Sequence, residues 1–182
     1  MIKRLFLFFL VLSMVGLAIF FAVNFYQEIK YPLFYEEDIL LASSEFGIEP
    51  YIIASMINVE SSFHPTAISN KGAVGLMQLL PSTAQWLATK IGYANYSQED
   101  LLSPQINILL GTYYLSYLGS RFANQTAVFC AYNAGEGIVR GWLENQEYSS
   151  DGISLKTIPF PETQNYIAKL QNNMRIYYDK FN

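Results

Sequence analysis

Pro50-Tyr51-Ile52-Ile53-Ala54-Ser55-Met56-Ile57-Asn58-Val59-Glu60-Ser61-Ser62-Phe63-His64-Pro65 is the stretch whose reading decides the fold. Ile53, Met56, Ile57 and Glu60 recur at i, i+3, i+4 and i+7, the spacing that aligns side chains on one buried face of a helix. Pro50 suits a first helical turn, and Pro65 disfavours helical geometry at His64, so the helix stops soon after Glu60. A carboxyl group therefore points inward at the C-terminal end of an apolar helix. Desolvation and the negative end of the helix dipole both disfavour its ionised form, which predicts a raised pKa and an acid able to donate a proton near neutral pH. An inward Glu paired with an Arg or Lys is the competing reading of the same pattern.

On either side of this stretch the punctuation is helical. Residues 38–46 can form a helix stopped by Gly47, and residues 81–89 form another with Pro81 in its first turn. Ser103-Pro104 starts a helix in which Ile106, Leu109, Leu110, Tyr113, Tyr117 and Leu118 keep helical spacing as far as Gly119, so this reads as a central core helix. Residues 124–132 and 138–143 read as two further helices, residues 144–157 as a polar surface loop, and Pro161 opens a last helix with Tyr166, Ile167, Leu170, Met174 and Tyr177 on its apolar face. Ser69-Asn70-Lys71-Gly72 has the composition of a type I turn facing the Glu60 helix. The fold class expected is all-α, with at most a small β hairpin over residues 69–79.

The N-terminus carries a different signal. After Lys3 and Arg4 the chain runs uncharged over residues 5–23, long enough to cross a bilayer as a helix, with the two basic residues on the cytoplasmic side. Gly16-Leu17-Ala18 is a weak small-x-small site, so a cleaved signal peptide is the alternative. The apolar run continues past it through Ile19, Phe20 and Phe21, which favours an uncleaved anchor, and no cysteine follows to support a lipoprotein. The expected organisation is a cytoplasmic tip and transmembrane or signal segment over residues 1–27 and one domain over residues 28–182.

Beyond the anchor, nine Lys and Arg face fifteen Asp and Glu, a formal charge of −6 that makes nucleic acid an unsuitable partner. His64 and Cys130 are the only residues of their kinds. No intrachain disulfide can form, a Cys/His zinc site lacks ligands, and a Ser-His-Asp centre would rest wholly on His64, which reads as a surface-loop residue. Cys130, within the apolar run of residues 127–131, reads as a buried, unreactive thiol.

Four ordered blocks now carry a family resemblance: Glu60-Ser61-Ser62-Phe63 with Ser69; Gly75-Leu76-Met77-Gln78 with Pro81-Ser82-Thr83-Ala84; Ala131-Tyr132-Asn133-Ala134-Gly135; and Ile158-Pro159-Phe160-Pro161-Glu162-Thr163-Gln164-Asn165-Tyr166. Over residues 38–178 the chain resembles the catalytic domain of soluble-type lytic transglycosylases, which share the goose-type lysozyme fold. The resemblance implies a lysozyme-like domain that cleaves the β-1,4 bond between N-acetylmuramic acid and N-acetylglucosamine in peptidoglycan glycan strands. One Glu, here Glu60, acts as acid and then base, and a 1,6-anhydro-muramoyl product forms. It implies no metal and no organic cofactor.

By the same resemblance Ser69, Gln78, Tyr132, Asn133 and Glu162 line the substrate cleft. Each also has a structural reading: Ser69 as a turn residue, Gln78 as a polar residue of an exposed strand, Tyr132 as a core residue ending a helix, Asn133 as its C-cap, and Glu162 as a favourable charge at a helix N-terminus. Leu80 stands where many members have Met, and His64 where a polar residue often precedes the Pro; neither touches the chemistry. The implied location is the bacterial envelope, with the domain outside the cytoplasmic membrane. A hydrolytic muramidase on the same scaffold, or a non-catalytic glycan-binding assembly factor, are the alternatives. An idle binder would be free to lose Glu60, and it is present.

Overall fold

Proline begins four of the helices in the computed structural model, which describes residues 2–182. After α1 (Ile2–Lys30) come α2 (Glu36–Phe46), α3 (Pro50–Ser61), α4 (Pro81–Lys90), a 3-10 turn over Gln98–Leu102, α5 (Pro104–Arg121), α6 (Gln125–Ala134), α7 (Glu136–Glu144) and α8 (Pro161–Phe181). At Pro50, Pro81, Pro104 and Pro161 the missing N–H falls on a donor that the first turn leaves unpaired anyway. Gly47 closes α2 in the left-handed conformation, φ 68°, with its N–H on Ser43 O.

The chain divides into two compact units, Met1–Pro32 and Leu33–Asn182. In the first, α1 is long and apolar enough to cross a membrane, and its apolar side chains are exposed along its length. The second is all-α. Where a hairpin was expected, residues 68–79 pair only through the isolated bridges Ile68–Val74 and Val74–Leu79.

α3 is deeply set in this unit: every residue from Ile52 to Ile57 is buried, and the helix packs against α2 and α8. The face of α5 differs from the sequence reading. Leu110 and Leu118 are buried as expected, but Ile106, Leu109, Tyr113 and Tyr117 are only half-buried, and the inward face runs through Asn107, Ile108, Gly111, Thr112 and Leu115. The cause is the loop of residues 75–78, which lies against that face. Asn107 Nδ2 donates to Val74 O at 3.0 Å and Leu101 O at 2.9 Å, while its Oδ1 accepts from Met77 N at 2.7 Å. Gly75, at φ 82°, passes so close that a Cβ there would overlap Asn107 Nδ2 and Leu101 O, and a Cβ on Gly111 would overlap Met77. Periodicity of apolar residues could not show this, because the residues that meet the loop are small or polar.

Asn107→Ala is expected to strand one backbone N–H and two carbonyls in a water-free site, at a cost on the order of 3–5 kcal/mol. Urea unfolding of the full-length protein checks this; an unchanged midpoint would show that the loop is held by other means.

Candidate active site

α3 ends abruptly, and its ending places Glu60. Ser62 and Phe63 both adopt left-handed backbone, φ 51° and 62°, a conformation costly for residues with a side chain. Three contacts hold it there: Ser62 N–H on Asn58 O at 3.0 Å, His64 N–H on Ser61 O at 3.1 Å, and the buried Phe63 ring against Tyr177 and Phe34, each 6.1 Å away. Ser61 Oγ reaches across to Leu76 O at 2.8 Å and so fastens the end of α3 to the 75–78 loop.

Glu60 thus sits in the last turn of α3, half-buried, on the wall of a cavity of about 220 Å³. Ser69, Lys71, Ala73, Gln78, Leu80, Tyr132, Asn133 and Glu162 complete the lining, so all six residues singled out from the sequence meet in one place. Burial pushes the Glu60 pKa up to about 7, partly opposed by the Tyr166 hydroxyl beside it. That contact falls short of a well-formed hydrogen bond, and among the described residues the buried Tyr166 hydroxyl has no other partner. Among the described residues no Lys or Arg forms an ion pair with Glu60, which sets aside the paired-Glu reading.

The other groups are held mainly by backbone. Tyr132, in the last turn of α6, donates its hydroxyl to Met77 O at 2.8 Å; burial and then the nearby Glu60 charge hold its pKa well above that of an ordinary phenol. Asn133 Oδ1 accepts from Thr163 Oγ1 at 2.8 Å, a bond that joins α6 to α8 and leaves the amide N–H₂ for other use. Gln78, at φ 49°, donates Nε2 to Gly75 O at 2.8 Å and Ala67 O at 3.1 Å, so its donors brace the loop. Ser69 closes the expected turn, with Gly72 N–H on its carbonyl at 2.9 Å, and its Oγ accepts from Ala73 N at 3.0 Å. Glu162 stands at the cavity mouth in the first turn of α8, 3.4 Å from Lys71 Nζ, with both side chains mostly exposed.

Sequence reasoning placed Tyr166 on a core face and passed over Lys71, Ser61 and Asn107. Only the polar run that follows the apolar stripe at Glu60, and an Asn one turn into a core helix, hinted at the last two. His64 is exposed, with Nδ1 2.8 Å from Ser61 O, and is absent from the cavity lining. Cys130 is buried, its thiol pushed up to about 12 by desolvation, so it is unreactive at neutral pH.

Residues 38–153 match the family model described as Transglycosylase SLT domain. The chain is 36% identical over 146 residues to the soluble lytic murein transglycosylase of Escherichia coli K12, covering 79% of this chain and 23% of that protein. It is 30% identical over 158 residues to the membrane-bound lytic murein transglycosylase C of Serratia proteamaculans, covering 75% of this chain and 44% of that protein. Among solved structures, an inactive mutant of the lytic transglycosylase Slt from Pseudomonas aeruginosa superposes with a TM-score of 0.77 at 34% identity, covering 85% of this chain and 25% of that one. The 70 kDa soluble lytic transglycosylase of Escherichia coli gives 0.73 at 34%, covering 83% and 25%. The chain spans about a quarter of the length of the soluble relatives it matches. Its all-α domain, with a desolvated carboxyl at the end of α3 and a cleft built around it, belongs to the transglycosylase SLT domain family.

Proposed function

We propose that this protein is a peptidoglycan lytic transglycosylase that cleaves the β-1,4 bond between N-acetylmuramic acid and N-acetylglucosamine and leaves a 1,6-anhydro-muramoyl end. The observation that carries the reading is Glu60: a half-buried carboxyl, without a basic partner among the described residues, its pKa raised to about 7, on the wall of a cleft. An ordinary carboxyl would be ionised at neutral pH and unable to act as an acid, whereas this one keeps its proton in a large share of molecules there.

Glu60 donates that proton to the glycosidic oxygen as the C1–O bond breaks. The resulting carboxylate then takes the proton of the muramoyl C6 hydroxyl, whose oxygen bonds to C1 and closes the anhydro ring. An intramolecular nucleophile makes a second catalytic carboxylate unnecessary. Glu162, exposed and paired with Lys71 at the cavity mouth, suits an accessory role as a sugar-hydroxyl acceptor. Tyr132, with its hydrogen committed to Met77 O, offers oxygen lone pairs, and Asn133 offers its amide N–H₂ to an acetamido carbonyl. Gln78 and Ser69 brace the loop of residues 67–79 and line the same cavity. The relatives' names, which include soluble and membrane-bound lytic murein transglycosylases, support the same reaction class.

The apolar α1 and the membrane-bound relative support an envelope protein organised as an anchor over residues 1–27 and a glycan-cleaving domain over residues 28–182. Lys3 and Arg4 favour an orientation with that domain outside the cytoplasm, where peptidoglycan lies. Cell fractionation should find the intact chain in the membrane; a mature N-terminus near residue 19 would instead identify α1 as a cleaved signal.

Digestion of purified sacculi followed by mass spectrometry should give muropeptides one water lighter than hydrolysis products. Reducing ends would establish a hydrolase. Glu60→Gln keeps the shape of the side chain but cannot donate and retrieve a proton, so turnover should fall by roughly 10²–10⁴-fold or more. Substantial turnover by the purified variant would move the acid elsewhere, with Glu162 the first suspect.

Since the reaction starts from protonated Glu60, the rate should fall as pH rises through about 7 and level off below it. Carbon-13 carboxyl shifts recorded over the same range identify the group that titrates; a Glu60 carboxyl already ionised at pH 5 would contradict the assignment.

A further inference from the structure

Among the residues that line the Glu60 cavity Lys71 alone is basic, and the function proposed above gives it no task beyond pairing with Glu162. It occupies the third position of the Ser69–Gly72 turn, whose backbone is held by several bonds. Gly72 N–H donates to Ser69 O at 2.9 Å, Ser69 N–H to Ala73 O at 2.9 Å, and Ala73 N–H to Ser69 Oγ at 3.0 Å. The base of the side chain is therefore fixed, while its four-carbon stem keeps the freedom to swing.

The Lys71 ammonium reaches across the cavity mouth to α8 and lies 3.4 Å from both carboxylate oxygens of Glu162. The two side chains are 78% and 73% exposed, so water screens the pair and its hold is weak. Glu136, on the same domain, shows a firm pairing for comparison. Its Oε1 accepts from Arg140 Nη2 at 2.6 Å and Arg121 Nε at 3.1 Å, its side chain is only 24% exposed, and Arg140 above all holds its pKa below the ordinary value. Lys71 has neither the forked geometry nor the shelter, so its partner is exchangeable.

An exchange needs another anion at the mouth, and the strand itself can bring one. Of its two sugars only the muramoyl residue has an acidic substituent: a lactyl group that ends in a carboxylate on a bare strand, or in an amide to a stem peptide with carboxylates of its own. A chain of N-acetylglucosamine alone has neither. Because the domain's formal charge of −6 repels an anionic strand at long range, a cation at the entrance is where attraction is regained. We propose that Lys71 is a specificity-determining residue whose ammonium leaves Glu162 and pairs with a carboxylate of the muramoyl substituent, selecting acidic muramoyl strands over neutral ones. One ion pair replaces another and no covalent bond changes. Glu162, once released, is open to sugar hydroxyls. The inference rests on the function proposed above and concerns which strand the site accepts.

The test uses the full-length chain in detergent micelles, with Glu60→Gln to prevent turnover, and calorimetry with four hexasaccharides. One is neutral β-1,4-linked N-acetylglucosamine. The other three alternate N-acetylglucosamine with N-acetylmuramic acid and carry free lactyl carboxylates, lactyl methylamides or stem peptides. Lys71→Met should weaken binding of a carboxylate-bearing oligomer by roughly three- to fivefold, the upper range for an exposed pair, and the loss should shrink as salt is raised. Lys71→Arg, which keeps the charge, should retain most of the affinity. The N-acetylglucosamine and methylamide oligomers should bind Lys71→Met as tightly as the parent. A loss confined to the free-lactyl oligomer identifies the lactyl carboxylate as the partner, and one confined to the stem-bearing oligomer identifies the stem; either supports the proposal. An equal loss for the neutral oligomers, or no loss for any acidic one, overturns it. Failure of the underlying function reads out separately: wild-type protein that releases no anhydro-muramoyl product from sacculi fails that reading, whereas product formation without charge-dependent binding through Lys71 fails only this one.

Discussion

The three hydrogen bonds of the buried Asn107 side chain are the constraint on which the cleft depends. They pin the 75–78 loop to α5, and the loop then serves as a rail for the functional groups. Leu76 O receives Ser61 and so locates the end of α3; Met77 O receives Tyr132 and so locates the end of α6. A side chain with two donors and an acceptor in a water-free site must find all its partners or cost several kcal/mol, which makes this arrangement all-or-none. Glycine at positions 75 and 111 is the steric counterpart, because neither site has room for a Cβ.

Against this rigid frame, Glu60 stands without a basic partner among the described residues. Burial of an ionised carboxylate without a counter-charge is unfavourable, so the group holds its proton up to about neutral pH. The nearby Tyr166 hydroxyl moderates the effect without removing it. By contrast, Glu136 and Glu162 both have basic partners. Three carboxylates on one domain thus receive different chemistry from burial and pairing alone.

The left-handed pair Ser62-Phe63 shows how the fold accommodates local strain near the chemistry. Aromatic packing of Phe63 against Phe34 and Tyr177 holds the chain in the less favoured conformation. α8 contributes twice, since it packs along α3 and also presents Thr163 to Asn133 and Tyr166 to Glu60.

Much of this was legible in the residues themselves. Proline at the first turn fixed the starts of α3, α4, α5 and α8, because its locked φ and missing N–H suit only that position. The Ile53-Met56-Ile57-Glu60 spacing located a desolvated carboxyl, since helix periodicity alone decides which face a residue occupies. What the sequence could not decide was which polar residues meet. Asn107, Gly111 and Thr112 face inward against their composition because a loop thirty residues earlier in the chain lies on them. Local geometry is written in nearest neighbours along the chain. The hydrogen bonds of Asn107 and the raised pKa of Glu60 arise only when segments distant in sequence exclude water from one another, and that is a property of the tertiary structure.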